Sequence, residues 1–236
     1  MFMPPRSRIR RPWLSASLAV CALVALGGCT SITGYRGWPL PEHDRTSFHT
    51  PAMRLDAIKQ FAASADGTDS SEQREHVDQL ARQVQIEPDP LVREAIIHAT
   101  AEFRTPLSYQ ILEAGLQDES ANVRIACCES LGKRAEVRSV ASLAGALRDD
   151  EDHDVRLAAT EALGRIKDPT AVAALAIALD DRDPALQFVG VQSMQAITGK
   201  NYGGDVAAWR QVAAGESPPE PAAPSIAERI RDVTRF

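Results

Sequence analysis

The feature of this sequence that most constrains its fold is an internal repeat with a period of 31 or 32 residues. Its most regular element is an apolar residue followed by Arg or Gln, at Val92-Arg93, Val123-Arg124, Val155-Arg156 and Leu186-Gln187. Two leucine series keep the same spacing, namely Leu112, Leu143 and Leu175, and Leu116, Leu147 and Leu179. A period in this range is typical of a solenoid, in which each unit buries its apolar face against its neighbours.

Each repeat unit contains two helical patterns. In the third unit, apolar residues recur at steps of three and four from Val155 to Leu163, and Gly164 lies near the end of the stripe. A second stripe follows at Val172, Leu175 and Leu179. These spacings place the apolar residues on one face of a helix. Each unit is therefore predicted to be a helix pair, which gives about ten helices in all.

The stretch from Asp154 to Gly164 resembles HEAT-like repeats, particularly the short bacterial kind named after the bilin lyases. Four clear units run from about residue 89 to 209. A weaker unit precedes them, where Met53-Arg54 resembles Val155-Arg156 and an insertion is expected at 65–71. The resemblance implies an all-α fold, an α-solenoid of about five HEAT-like helix pairs over residues 52–213.

The last unit departs from the repeat. Gln187 replaces the Arg, and a turn-rich loop precedes a short helix that Asp205 is expected to cap. Tyr202 and Trp209 can shield the open end of the core, which is what a terminal repeat requires. The alternative is a small-molecule loop built on Gly203-Gly204. Beyond it, residues 214–224 are predicted to be a Pro-rich linker and 225–236 a short amphipathic segment.

The first 28 residues are predicted to be a cleaved secretory signal. A basic stretch ending at Arg10-Arg11 leads into an apolar run over residues 14–26, which ends at Gly27-Gly28-Cys29. An apolar run this short does not fit a permanent membrane span, which needs about 20 helical residues.

The residues Leu26-Gly27-Gly28-Cys29 resemble the lipobox of bacterial lipoproteins. The resemblance implies that the Cys29 thiol carries a diacyl lipid and that residues 29–51 form a tether from the membrane. Thr30 after the cysteine favours the outer membrane, because Asp there is the usual retention signal. The alternative is a plain secreted protein in which Cys29 has no role.

The charge balance argues against nucleic acid as a partner. The chain has 26 Lys plus Arg and 32 Asp plus Glu, for a net charge of −6. Four arginines lie in the first 28 residues, which contain no acid, so the rest of the chain is more acidic still. A protein that binds the phosphate backbone needs the opposite sign.

The sequence contains no recognisable catalytic or metal-binding pattern. The histidines are dispersed at 43, 49, 76, 98 and 153, and Glu94 with His98 is interpreted as an exposed helical pair. Cys127 and Cys128 are adjacent within a predicted helix and are expected to act as small apolar residues. We therefore expect no enzyme activity and no cofactor. The enzyme alternative is a bilin-lyase-like accessory role, for which the scaffold is the only resemblance.

Acidic residues recur in the loops between helix pairs. Six residues before the repeated Arg or Gln stand Glu87, Asp118, Asp150 and Asp181. One interpretation is structural, with acids capping helix starts and Arg93, Arg124 and Arg156 pairing with acids of neighbouring loops. The other is functional, because one loop carries more charge than capping requires. The candidate partner-binding edge is Asp149, Asp150, Glu151, Asp152, Asp181 and Asp183.

The expected ligand of this edge is a basic partner or, more weakly, a divalent cation. The sequence as a whole therefore predicts a membrane-anchored scaffold for an unidentified protein of the bacterial cell envelope.

Overall fold

A computed structural model of the chain describes residues 50–219. The expectations for the signal, Cys29, Thr30, most of the tether and the segment 225–236 lie outside the described residues. Within 50–219 all regular structure is helical, so the all-α prediction is confirmed. None of the described helices combines the length and the apolar character needed to cross a bilayer.

The described part of the chain contains ten α-helices and one short 3-10 turn, as the repeat predicts. The helices are α1 (Pro51–Ala62), α2 (Ser71–Ile86), α3 (Pro90–Glu102), α4 (Pro106–Gly115), α5 (Ala121–Arg134), α6 (Val140–Asp149), α7 (His153–Ile166), α8 (Thr170–Asp180), α9 (Pro184–Thr198) and α10 (Val206–Ala213). The 3-10 turn at Val137–Ser139 precedes α6.

Alternate helices form two layers. The first layer contains the odd-numbered helices, and each of them packs against the next, from α1 to α9. The second layer contains the even-numbered helices, of which α2 packs on α4, α6 on α8 and α8 on α10. Within residues 50–219, α4 and α6 are the one neighbouring second-layer pair without extensive contact. The arrangement is an α-solenoid with a local opening in one layer.

The core lies between the two layers. All six leucines of the two predicted series are buried, and they belong to α4, α6 and α8 or the residue after α4. On the facing helices, Val92, Val123, Val155 and Leu186 are completely buried. The apolar register inferred from the repeat is therefore confirmed. Such complete burial is the main favourable contribution to folding of a chain with few aromatic residues.

Two glycines let the first-layer helices approach closely. A Cβ added at Gly132 would lie 2.8 Å from the Cα of Ala162, and one added at Gly164 would lie 2.9 Å from the Cα of Ser193. Gly164 does not end its helix, because α7 continues to Ile166 and Lys167 takes the left-handed conformation. Its role is close packing of α7 against α9.

The first helix pair is longer than the others, as expected from the insertion predicted at 65–71. The loop between α1 and α2 spans 63–70, and α2 has 16 residues where α4 has 10. Together they account for the longer spacing between Met53 and Val92. Met53 itself is 53% exposed, because α1 ends the first layer and no preceding helix among the described residues covers it.

The C-terminal end of the solenoid is closed by aromatic packing. Asp205 accepts hydrogen bonds from the amides of Ala207 and Ala208 and thereby caps α10. The Trp209 ring is buried, lies 5.2 Å from the Tyr202 ring centroid and donates its Nε1–H to the Gly203 carbonyl. The prediction of a terminal cap is thus confirmed, and the backbone next to Gly204 serves that cap.

A matched pair of glycine substitutions tests the close packing. Gly164→Ala should destabilise the protein by about 1 to 3 kcal/mol, since the added methyl meets the backbone of Ser193. Gly145→Ala should stabilise by up to about 1 kcal/mol, since a Cβ there meets no atom within 4 Å. Urea denaturation of both variants measures the difference. Equal effects of the same sign would show that the spacing of α7 and α9 does not depend on the glycine.

Candidate functional site

The acidic loops that precede the first-layer helices are built in one repeated way. The acid six residues before the repeated Arg or Gln accepts a hydrogen bond from an amide two residues later, at 2.8–3.1 Å, in all four loops. A second acid caps the helix itself at Asp89, Asp152 and Asp183. The structural interpretation of these carboxylates is confirmed.

The repeated arginines hold the same loops from the helix side. The Nη1 of Arg93, Arg124 and Arg156 donates to the carbonyl six residues earlier, at 2.9–3.2 Å. Gln187 keeps this interaction, since its Nε2 donates to the Asp181 carbonyl at 2.7 Å. Replacement of Arg by Gln187 in the last repeat therefore preserves the hydrogen bond to the loop carbonyl.

Three arginines also reach across to the next loop. Arg93 binds Asp118 through two hydrogen bonds of 2.9 and 3.0 Å, and Arg124 binds Asp150 through two of 2.8 Å. In the first unit Arg54 pairs with Glu87 at 3.1 Å. We call these three pairs the arginine ladder. The pairs of Arg93 and Arg124 are bidentate and partly buried, and such pairs are the stronger class of ion pair.

The expected pairing of Arg156 is wrong. Within residues 50–219 Arg156 has no carboxylate of the next loop within ion-pair distance. Between this loop and the next, the Nε2 of His153 lies 3.0 Å from the Oδ2 of Asp183. The arginine ladder therefore ends at Asp150.

The electrostatics of the ladder keep its members charged. Burial raises the pKa of Asp150, but hydrogen bonds from Arg124 and the Asp152 amide and the nearby positive charges outweigh it, so this pKa lies below its usual value. The hydrogen bonds that Arg93 donates to Asp118 likewise raise the pKa of Arg93 against the effect of burial. A lowered folded-state pKa of Asp150 means that its contribution to stability is present above the unfolded pKa. This contribution to stability is lost as the pH falls through the folded-state pKa of Asp150.

An open groove of about 810 Å³ lies where α4 and α6 are separated. Its apolar lining consists of Leu116 and small residues of α6. Its walls carry six carboxylates, whereas Arg124 is the one cation among the lining residues that the structure describes. The carboxylates belong to Glu113, Asp118, Glu119, Asp149, Asp150 and Glu151.

The structure divides the six residues of the candidate edge. Asp149, Asp150 and Glu151 line the groove, whereas Asp152, Asp181 and Asp183 do not. Asp150, Asp152 and Asp183 are engaged in capping or in ion pairs, and Asp181 binds the amide of Asp183. Among the described residues, Asp149 and Glu151 have no side-chain hydrogen bond or ion pair. The surplus charge noted in the sequence thus belongs to these two residues.

A second, smaller cleft of about 290 Å³ lies on the first layer. Both cations of its lining are paired, because Lys133 binds Glu102 at 2.6 Å and Arg165 binds Glu161, outside the lining, at 3.1 Å. His98 on its border lies 3.9 Å from Glu94 and is exposed, as expected from the sequence.

Cys127 and Cys128 are fully buried free thiols, as expected of small apolar residues. Burial raises the pKa of Cys128 to about 12 and that of Cys127 well above its usual value. Because the thiolate is the reactive form, neither cysteine is placed for redox chemistry or metal binding.

The described acidic loops were expected to attract a divalent cation as a weaker alternative to a basic partner. Across residues 50–219 no three His, Cys, Asp or Glu side chains converge as metal ligands. The expectation of a divalent cation at these loops therefore has no structural support.

Comparison with known proteins agrees with the observed architecture. Residues 112–195 match the family model for HEAT repeats. Nineteen chains of solved structures match, among them human deoxyhypusine hydroxylase in complex with glycerol, at 22% identity and a TM-score of 0.49. That match covers 63% of this chain and 65% of the other, so it extends over less than two thirds of the hydroxylase chain. No curated protein matches the sequence.

The fold class is thus an all-helical α-solenoid in which ten described helices pack as sequential pairs, and its segment 112–195 matches HEAT repeats.

The arginine ladder predicts different effects of one substitution at two positions. Arg124→Gln should destabilise by about 3 kcal/mol, since it keeps the bond to the Asp118 carbonyl but leaves Asp150 buried and unpaired. Arg156→Gln should cost less than about 1 kcal/mol, because it removes no carboxylate pair. Denaturant melts at neutral pH measure both. Equal costs would mean that the bonds within each loop, rather than the ladder, hold the repeats.

Proposed function

We propose that this chain is a lipid-anchored HEAT-repeat scaffold that binds another protein at the surface of a bacterial membrane. The observation that carries the binding role is the solenoid itself. Stacked helix pairs expose a long surface whose side chains are not needed for the core, and such surfaces are widely used to bind proteins. The acidic groove on this surface supplies a concave feature where a partner could be recognised.

The anchoring part of the proposal rests on the sequence Leu26-Gly27-Gly28-Cys29 at the end of a short apolar run. Its resemblance to a lipobox supports cleavage before Cys29 and acylation of its thiol. Thr30 supports sorting to the outer membrane. Residues 30–49 would then connect the lipid to Thr50, the residue that caps α1.

A binding role is proposed rather than catalysis, and no cofactor or nucleic acid is part of it. The described titratable groups support this, because the groove carboxylates face an open surface and both cysteines are buried with raised pKa values.

Cys29→Ser tests the anchor. Radiolabelled palmitate should be incorporated into the wild-type chain and not into the variant, because the thiol is the group that accepts the thioether-linked lipid. The variant should also leave the membrane fraction. Equal labelling of the two proteins, or none in either, would contradict lipid anchoring.

In-cell photocrosslinking tests the scaffold role separately. A photoreactive residue placed at exposed positions around the solenoid should give discrete protein adducts at some positions and none at others. The Cys29→Ser variant should lose adducts with membrane-resident proteins. A chain that yields no adduct from any exposed position would not be a protein-binding scaffold.

A further inference from the structure

The groove between α4 and α6 arises from a local opening of the second layer. The first-layer helices α5 and α7 remain tightly packed, with Gly132 against Ala162. The face of α6 that borders the opening carries Ser142, Gly145 and Ala146, and a Cβ at Gly145 would meet nothing within 4 Å. No large side chain from this face fills the space between the two helices.

Two contacts connect α4 to the segment containing α6 and leave the rest of the groove open. The Ser142 hydroxyl donates a hydrogen bond to the Glu113 carboxylate across the groove. Before α6, the Arg138 guanidinium lies 3.6 Å from the centroid of the Tyr109 ring. The groove is therefore bridged but unfilled. Its volume lies within the range of about 300 to 1,000 Å³ that is common for ligand clefts.

The charges of the groove do not balance. Arg124 pairs with Asp150, and Arg93 from outside the lining pairs with Asp118 and Glu119. Asp149 and Glu151 remain without a partner among the described residues, and both are exposed. The groove consequently carries negative charge at two exposed residues that no hydrogen bond or ion pair among the described residues compensates.

The other loops provide an internal comparison. In the loop between α2 and α3, the positions equivalent to Asp149 and Glu151 are occupied by Ile86 and Pro88. In the loop between α8 and α9, the residue equivalent to Asp149 is Asp180, which pairs with Arg210 at 2.8 Å. The uncompensated acids therefore coincide with the one opened pair of second-layer helices. These are two independent features at the same place.

We propose that the groove between α4 and α6 binds an extended polypeptide segment that carries Lys or Arg side chains. This inference rests on the proposed role as a protein-binding scaffold and assigns that role to a surface. Long basic side chains suit the groove, because their aliphatic stems can cover Leu116 and Ala146 while their charged ends reach the carboxylates at the rim. A small cation suits it less well, since no set of three ligands converges in the described residues.

The test uses the full-length chain purified in detergent and a fluorescein-labelled peptide of alternating Arg and Ala. Fluorescence anisotropy should report saturable binding that weakens as salt is raised towards physiological ionic strength, because the rim charges are exposed and screened. A peptide of alternating Glu and Ala should not bind. Absence of binding by the basic peptide at low salt would overturn the proposal.

Charge and shape are tested by separate variants. Asp149→Asn with Glu151→Gln should weaken binding about fivefold to tenfold, while its thermal melt stays that of the wild type. Gly145→Phe, which fills the groove, should weaken binding by at least about tenfold, whereas Gly145→Ala should bind as the wild type does.

The matched charge control is Glu75→Gln with Asp78→Asn on α2, where both acids are exposed and outside the groove. It should change the affinity by less than about twofold. A loss equal to that of the groove variant, or full binding by Gly145→Phe, would mean that the peptide binds through overall charge and not in the groove.

Two other occupants would also overturn the proposal. Self-association that Gly145→Phe abolishes, measured by sedimentation, would make a second copy the occupant. Peptide binding that appears only after removal of residues 225–236, which contain three arginines, would make the chain's own segment the occupant. Neither result would affect the palmitate and crosslinking tests. The groove proposal can therefore be wrong while the proposed anchored scaffold is still supported.

Discussion

The arginine ladder is the interaction on which the order of this solenoid most depends. Arg93 and Arg124 each close their own loop through a backbone carbonyl and reach a carboxylate in the following loop, as Arg124 does with Asp118 and Asp150. One side chain thereby sets both the loop conformation and the position of the next repeat. Apolar burial supplies the larger favourable free energy, but it is not directional. The ladder and the glycine contacts of the first layer select one stacking among many.

The carboxylates of these loops fall into two groups, those that hold the repeats together and those that make no contact. Those at the ladder and cap positions are held by arginines and amides, and their charges are largely compensated. Asp149 and Glu151 lie next to them in the sequence but make no such contact within the described chain. The side chains at these two positions can therefore change with little effect on stability.

Most of the fold could be predicted from the sequence, because the period of 31 or 32 residues fixes which leucines share a face and how many helices stack. The terminal cap could also be predicted, since Tyr202, Asp205 and Trp209 follow the last repeat. The groove could not, because it depends on the distance between α4 and α6, which no local pattern encodes. Glu113, Glu119 and Gly145 were missed for that reason, although Ser142, Gly145 and Ala146 are small residues at helical spacing. The sequence also could not show that Arg156 lacks a carboxylate partner in the next loop of the described chain, since Asp181 occupies the same position in the repeat as Asp150.

The most direct test of this account is a double-mutant cycle on Arg93 and Asp118, whose side chains are 8% and 16% exposed. Arg93→Gln, Asp118→Asn and the double variant would be compared with the wild type by urea denaturation. If the ladder joins successive repeats, the coupling free energy should be about 1 to 3 kcal/mol, and the double variant should be less destabilised than the sum of the single ones. A coupling free energy near zero would show that the two side chains act independently and that the stacking of repeats is set by apolar packing alone.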